Sequence, residues 1–402
     1  MNRGALSGLK VIEHAHFISG PFCAKLMADL GADVIKVEEP EVGDRARRNR
    51  PFLHDVAHSE RSGLFLYLNT NKRGITLNLK NTTGRKVFKE LIERADILVE
   101  NNPPSVMKEL DLDYKSLQRT NPGLIMTSIT PFGQTGLYRD HKSSDLISFH
   151  MGGMGWITPD WVKDAAREPP LKGGGRQADF MTGVTAALAT MGAFFARRST
   201  GLGQHVDLSE QESVVYALAR YVTHHFNGET DYRRAKAPTY ERTVACKDGY
   251  IEFHVVEAVH WKAFKKVMGN PEALNDYKFK DYYSRCRNWD DLEPLVRKWA
   301  MEHTKEEICQ SMQAERVALS PVNTTKDLLK SEQLAARGYF AGIDHPETGQ
   351  ISYPGVPYKF SRTPWQTNRP APLLGQHNEE ILCRQLGYTL QELTDMKESG
   401  IV

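Results

Sequence analysis

The chain has 402 residues, a formal net charge of +2, and apolar, charged and aromatic fractions ordinary for a globular protein. That length holds two or three domains, or one large α/β domain with an inserted module. The near-zero charge argues against wholesale nucleic-acid or membrane binding. No eighteen-residue apolar run predicts a membrane span, and residues 1–8 carry no apolar signal core.

Residues 9–13 read as a short apolar strand, and Ser19-Gly20-Pro21 as a turn. Residues 22–30 have helical spacing closed by Gly31, and 33–38 form a second strand stopped by Pro40. Strand, helix and strand in about thirty residues make a βαβ unit and predict a parallel sheet. Glu38 ends the second strand, where a dinucleotide fold holds a ribose. However, Ile18-Ser19-Gly20-Pro21 is not Gly-x-Gly-x-x-Gly, which argues against a nicotinamide cofactor. Arg45, Arg47, Arg48 and Arg50 cluster in a charged stretch that is either a solvated loop or a phosphate contact.

Residues 68–74 read as a turn, 75–79 as a strand and 83–94 as an amphipathic helix. Further strands are expected over 96–100 and 124–129, with a helix between them at 114–118. The strand ends carry Ser19, Glu38, Lys80, Asn101 and Thr130, so a crevice there is the default ligand site; His14 and His16 sit beside it. An apolar pattern resumes over 145–154. Residues 206–208 predict a short strand and 213–226 a single helix. Composition shifts near Asn227, where a boundary is placed. Beyond it come a strand at 249–256 and helices at 258–268, 290–301 and 305–312, a smaller α+β module. An aromatic, Pro-rich path over 353–372 suits a strand and connector over a larger body, before two terminal helices.

Gly173-Gly174-Gly175-Arg176-Gln177-Ala178-Asp179 leads into an apolar run at 184–195 that reads as a buried helix. Asp179 thus stands where a flexible loop meets a helix start, among free N–H groups and the positive end of the dipole. A carboxylate there is expected to stay ionised, and is either a helix cap or a nucleophile. No His-Glu-x-x-His, clustered cysteine or acid-rich loop predicts a metal. Five scattered cysteines without a Cys-x-x-Cys pair predict reduced thiols and a cytoplasmic setting. Gly-x-Ser-x-Gly and the Gly-x-x-x-x-Gly-Lys-Ser/Thr loop are both absent.

Several stretches in order resemble the class III CoA-transferase family, the formyl-CoA and carnitine CoA-transferases with the related α-methylacyl-CoA racemases. They include Leu9-Lys10-Val11-Ile12-Glu13 with Ser19-Gly20-Pro21, Leu30-Gly31-Ala32-Asp33-Val34-Ile35-Lys36-Val37-Glu38 and Asn71-Lys72-Arg73. Ala95-Asp96-Ile97-Leu98-Val99-Glu100-Asn101, Ala178-Asp179-Phe180 with Gly183, and Thr200-Gly201-Leu202-Gly203-Gln204 follow. Pro372-Leu373-Leu374-Gly375-Gln376-His377 extends the likeness almost to the end.

The resemblance implies an interlocked homodimer of α/β class, with a Rossmann-like large domain built from both chain ends and a smaller α+β domain inserted between. The boundaries are 1–226, 227–330 and 331–402. It implies that Asp179 attacks an acyl-CoA thioester, with coenzyme A and acyl-CoA as substrates and no tightly bound cofactor or metal. Family positions contacting CoA match Phe17, Ile18, Leu77, Lys80, Asn101 and Lys142. On the substrate side, Asp145 and Glu257 match acids of the racemases, whose His before the first acid is Ser144 here. That absence favours a transferase over a racemase; a CoA-binding protein without chemistry is the third alternative. Family arginines are replaced by Glu39, by Asn102-Pro103-Pro104 and by Glu109, so other cations are expected at the CoA phosphates: Arg45, Arg47 or Lys72. Residues 235–244 lack glycine, which argues against the glycine-rich lid of formyl-CoA:oxalate chemistry.

Overall fold

A computed structural model describes residues 4–159, 162, 164, 166–226 and 242–402. Strand β1 (Lys10–His14) leads through helix α1 (Ser19–Ala28) to β2 (Asp33–Glu38). A short helix α2 (Gly63–Leu68) precedes β3 (Arg73–Thr76), and α3 (Thr82–Glu93) precedes β4 (Ile97–Glu100). Helices α4 (Pro104–Glu109) and α5 (Tyr114–Thr120) lead to β5 (Ile125–Thr130). Then come α6 (Asp145–Met151), the long α7 (Gln177–Thr200) and β6 (His205–Ser209), followed by α8 (Glu210–Ala217) and α9 (Ala219–Phe226).

The six strands form one parallel sheet in the order β3-β2-β1-β4-β5-β6. The strand order reverses between β1 and β4, which is where a doubly wound sheet opens a ligand crevice. Successive residues face opposite sides. Ile12, Ile35 and Leu98 thus join Val87, Phe88 and Leu91 of α3 on one face, together with Ile381 and Leu393 from the end of the chain. Val11, Val34 and Ile97 join Cys23 and Met27 of α1 and Ala186 and Ala193 of α7 on the other.

The chain divides into two compact units: Met1–Trp156 with Leu171–Thr230 and Gly338–Val402, and Ile157–Pro170 with Asp231–Arg337. The second unit has an antiparallel sheet of β7 (Arg242–Cys246), β8 (Gly249–Phe253) and β9 (Ser320–Pro321). Its core gathers Val244, Ile251, Phe264, Leu292, Val296 and Ile308.

Several sequence expectations shift. Helix α7 starts at Gln177, so Asp179 lies inside its first turn. The helix expected over 213–226 is two helices, starting earlier and parted at Leu218. Tyr353 belongs to the second strand of a hairpin, β10 (Phe340–His345) with β11 (Gly349–Pro354). Among the described residues α7 alone has the length and apolarity of a membrane span. Here its Gly183 lies against α1 and its Arg197 pairs with Asp96 at 2.7 Å.

Candidate active site

The carboxyl ends of β1 and β2 carry a dense buried ionic network. Lys36 reaches Glu13 at 2.6 Å and Asp44 at 2.7 Å; Lys72 reaches Glu13 at 2.7 Å. Arg47 takes Glu38 at 2.8 Å and Glu60 at 2.5 Å. These charges neutralise one another away from water. Glu38 is therefore spent on Arg47 and cannot hold a ribose. His14 and His16 are held neutral: burial lowers His14 to about 3, and lowers His16 too.

The network shapes the loop at the switch point. Asp44 Oδ1 accepts the N–H of Phe17 at 2.8 Å, fixing that residue in the left-handed region (φ 72°). Non-glycine residues are held there only where surrounding contacts over-determine them. Asn101, just past β4, accepts the N–H of His16 and donates to its carbonyl, each at 2.8 Å, and so ties the two diverging strands together. A Cβ on Gly20 would fall 2.3 Å from that of Ala15, so only glycine lets α1 start this close to the strand end.

Helix α7 reaches the same region. The Arg176 guanidinium stacks over the Phe17 ring at 4.6 Å. One turn past Asp179, a Cβ on Gly183 would meet the Ser19 carbonyl oxygen at 2.9 Å and Phe22 at 3.1 Å. The glycine lets α7 lie directly on the first turn of α1. Ahead of the helix the glycine loop curls around Lys172, whose ammonium donates to the carbonyls of Gly173 and Gly175 and pairs with Asp145 Oδ2 at 2.7 Å. Gly175 takes φ +75°, a turn that other residues resist.

Asp179 is 6 % exposed and its Oδ2 is buried without a hydrogen-bond partner. No side chain caps the helix at its N-cap, Arg176, so Asp179 is not that cap. Its backbone N–H donates to Asp145 Oδ1 at 3.2 Å. The expectation of an ordinarily ionised carboxylate is corrected. Burial, then the neighbouring Glu210 and Asp145 carboxylates, push the group up to about 8, against the opposing pull of Arg176 and Lys172. The helix terminus contributes too little to offset desolvation beside two like charges. An orphaned, desolvated carboxyl between two cations suits nucleophilic attack once deprotonated.

The profile of CoA-transferase family III matches residues 6–378. The chain belongs to that family. It is 31 % identical over its full length, and the full length of the relative, to a formyl-CoA:oxalate CoA-transferase of Streptomyces coelicolor. It is 33 % identical, over 94 % of the chain and 96 % of the relative, to a succinyl-CoA:mesaconate CoA-transferase of Haloarcula marismortui. The crystal structure of a CaiB/BaiF family protein from Brucella suis superposes with a TM-score of 0.85 at 30 % identity, covering 95 % of this chain and 99 % of that one.

For a family III CoA-transferase, the expected CoA contacts fall into two groups. Phe17, Ile18 and Asn101 come together at the switch point, although Ile18 itself is buried. Leu77 is also buried, within the core beside α3. Lys80 is well exposed and pairs with Glu39 at 2.9 Å; Lys142 is exposed in the loop before α6. Two of the three proposed phosphate cations are corrected. Arg47 and Lys72 are fully engaged in the buried network, whereas Arg45 is exposed. Glu257 is exposed at the start of helix α10 (Ala258–Val267) in the second unit. Of residues 235–244, those before 242 lie outside the described residues.

Sequence reading missed Lys172, Ser148 and Glu210. Lys172 directly precedes the glycines, and Glu210 reads as one more acid at a helix start, so neither signals a site unaided. Two described pockets, one beside Trp289 and one at the amino ends of β1 and β2, are lined by none of Asp145, Asp179 or Glu210.

Proposed function

We propose that this CoA-transferase moves CoA from an acyl-CoA donor to a carboxylic acid through covalent Asp179. The observation that carries the reading is the buried, unpartnered Oδ2 of Asp179 at the carboxyl end of the sheet, beside Lys172 and Arg176. The Asp179 carboxylate attacks the thioester carbon and expels CoA thiolate, forming an aspartyl-acyl anhydride. The thiolate then attacks the aspartyl carbon, releasing the donor acid and leaving an aspartyl-CoA thioester. The acceptor carboxylate attacks that thioester, again expelling thiolate and giving a second anhydride. Thiolate attack on the acceptor acyl carbon yields the new acyl-CoA and restores Asp179. Adjacent cations favour each oxyanion that forms.

Short dicarboxylates are the first acceptors to try, because the relatives named above act on oxalate and mesaconate. Five free cysteines suit a reducing cytoplasm, where we place the enzyme. A second copy of the chain fits the apolar stripe of Val184, Leu188 and Phe195 along α7, exposed by 51 %, 72 % and 70 %. A stripe of this kind on one helix face calls for a partner surface. Light scattering is expected to give a dimer, and Leu188→Glu with Phe195→Glu a monomer. Formyl-CoA and succinyl-CoA, assayed against oxalate and mesaconate, test the activity. Asp179→Ala should lose exchange by at least a thousandfold while still folding. An Ala variant with full exchange removes Asp179 from the mechanism.

A further inference from the structure

An acid that bonds to Asp179 does so through one end, so the groups around Asp179 decide what the rest of that acid carries. Arg176 stands one turn ahead. The Phe180 N–H donates to the Arg176 carbonyl at 3.1 Å, so Arg176 is the N-cap of α7 and Asp179 sits three positions on. Side chains at two such positions are neighbours, roughly 5–6 Å apart at Cβ. The Asp179 side chain is buried with Oδ2 unpartnered, whereas Arg176 is exposed. The Arg176 guanidinium lies over the Phe17 ring at 4.6 Å, and Phe17 is itself fixed by the hydrogen bond from its N–H to Asp44. Among the described residues Arg176 makes no hydrogen bond and no ion pair. The neighbouring cation is spent: Lys172 pairs with Asp145 at 2.7 Å and donates to the carbonyls of Gly173 and Gly175. One guanidinium is thus held on an aromatic platform, a turn away from the buried carboxyl, with its N–H donors unengaged.

The geometry points to Arg176 as a specificity-determining residue, which takes the far carboxylate of a dicarboxylic acid while the near carboxyl reacts at Asp179. The inference rests on Asp179 being the nucleophile, and it extends to acyl-CoA donors that keep a free carboxylate. A guanidinium grips a carboxylate through two parallel N–H···O bonds, a fork that an ammonium cannot copy. A short dicarboxylate holds its carboxyls a few bonds apart, a span comparable with that between neighbouring side chains on one helical turn. A monocarboxylate of the same length places a methyl group there and leaves the fork to water. The diphosphate of CoA is a poorer match. The pantetheine arm, with its two amides and linking carbons, separates that diphosphate from the thioester sulfur, whereas Arg176 is within one turn of the carboxyl that attacks the thioester.

The experiment measures dissociation constants of succinate, butyrate and CoA for the full chain by ligand-observed NMR titration, each ligand alone and so without turnover. Succinate and butyrate have equal carbon chains and differ by one carboxylate. The parent should bind succinate about tenfold tighter than butyrate, the size of effect expected of one charge-assisted contact. Arg176→Met keeps an unbranched stem beside Phe17; it should bring the two acids within about twofold of each other and leave CoA within about twofold of the parent. Arg176→Lys keeps the charge without the fork and should hold part of the preference. The acid preference decides the proposal: a parent that binds both acids alike, or a preference that survives in Arg176→Met, overturns it. A surviving preference together with weakened CoA would place a CoA phosphate on the guanidinium instead. Full exchange by Asp179→Ala sinks the nucleophile reading, and the acid preference, read without turnover, then still reports on Arg176 by itself.

Discussion

The backbone N–H of Asp179 donates to Asp145 Oδ1 at 3.2 Å, while the other Asp145 oxygen takes the Lys172 ammonium at 2.7 Å. One carboxylate thus anchors the first turn of the helix that carries Asp179, the proposed nucleophile, and the lysine inside the glycine loop. Loop and helix are set together, and the charge near Asp179 is set with them. Burial, Glu210 and Asp145 raise the Asp179 carboxyl to about 8, so the reactive form gains population as pH rises.

Asp145→Asn and Lys172→Ala should therefore shift the acid limb of kcat/KM in opposite directions. Asn keeps an acceptor for the Asp179 N–H, removes a like charge and leaves Lys172 uncompensated, so the limb moves to lower pH by about one unit. Removing Lys172 strips a cation and leaves Asp145 unpaired, so the limb moves to higher pH. A pH–rate series on the two variants checks the signs. Shifts in the same direction would show that the limb does not belong to Asp179.

Asp179→Asn should stabilise the folded chain, most at alkaline pH. In the folded chain burial and its acidic neighbours push this carboxyl up to about 8, from an ordinary value of 3.8. Its favourable protonated state is fully kept below about 4, and stability is lost as pH rises through 8. Asn carries no such penalty. The gain is on the order of a few kcal/mol above pH 8, after allowing for relaxation and water entry, and close to zero at pH 4. Denaturant melts at both pH values measure it, and equal effects at the two would point to shape rather than charge.

Gly183→Ala sets helix propensity against packing. Alanine gains up to about 1 kcal/mol within a helix. Its Cβ, however, would lie 2.9 Å from the Ser19 carbonyl oxygen, a backbone atom that α1 cannot easily move. Overpacking of this kind costs roughly 1–3 kcal/mol. A net loss of about 1 kcal/mol is expected, together with a fall in kcat of about tenfold as α7 and Asp179 move off α1. Thermal melts and steady-state rates read both. A variant that is more stable and fully active would show that the close approach is unimportant.

Most of the parallel sheet was legible because its strands carry short apolar stretches between helical periods, although β3 (Arg73–Thr76) starts inside the stretch that reads as a turn and ends before the expected strand does. Residues 33–38 were placed with their bounds correct, and Asp179 stood out by its glycines. What the sequence could not convey was which charges meet. Arg47 and Lys72 look like free surface cations in the chain, yet folding carries both to buried acids, Glu38 and Glu13. Lys172 and Glu210 stand 38 residues apart in the numbering and meet Asp179 only because α6, α7 and α8 pack together. Local pattern reports which face of an element is apolar, whereas ion pairing and desolvation follow from tertiary contacts.

Glu100 gives a separate pH test. It ends β4 fully within the sheet, where Oε2 accepts the Asn102 N–H at 2.8 Å and Ser128 bonds the same carboxyl. Burial outweighs those bonds and pushes the carboxyl up to about 7. The protonated state therefore favours the fold below pH 4.5, and that contribution fades as pH climbs through 7. Glu100→Gln imitates the protonated acid and keeps an acceptor for Asn102. At pH 5 it should be nearly neutral, and at pH 8 more stable than the parent by on the order of 2–3 kcal/mol. Denaturant unfolding at the two pH values decides the matter: an equal loss at both would mean that the fold relies on the charged carboxylate and that Glu100 is ionised within the sheet.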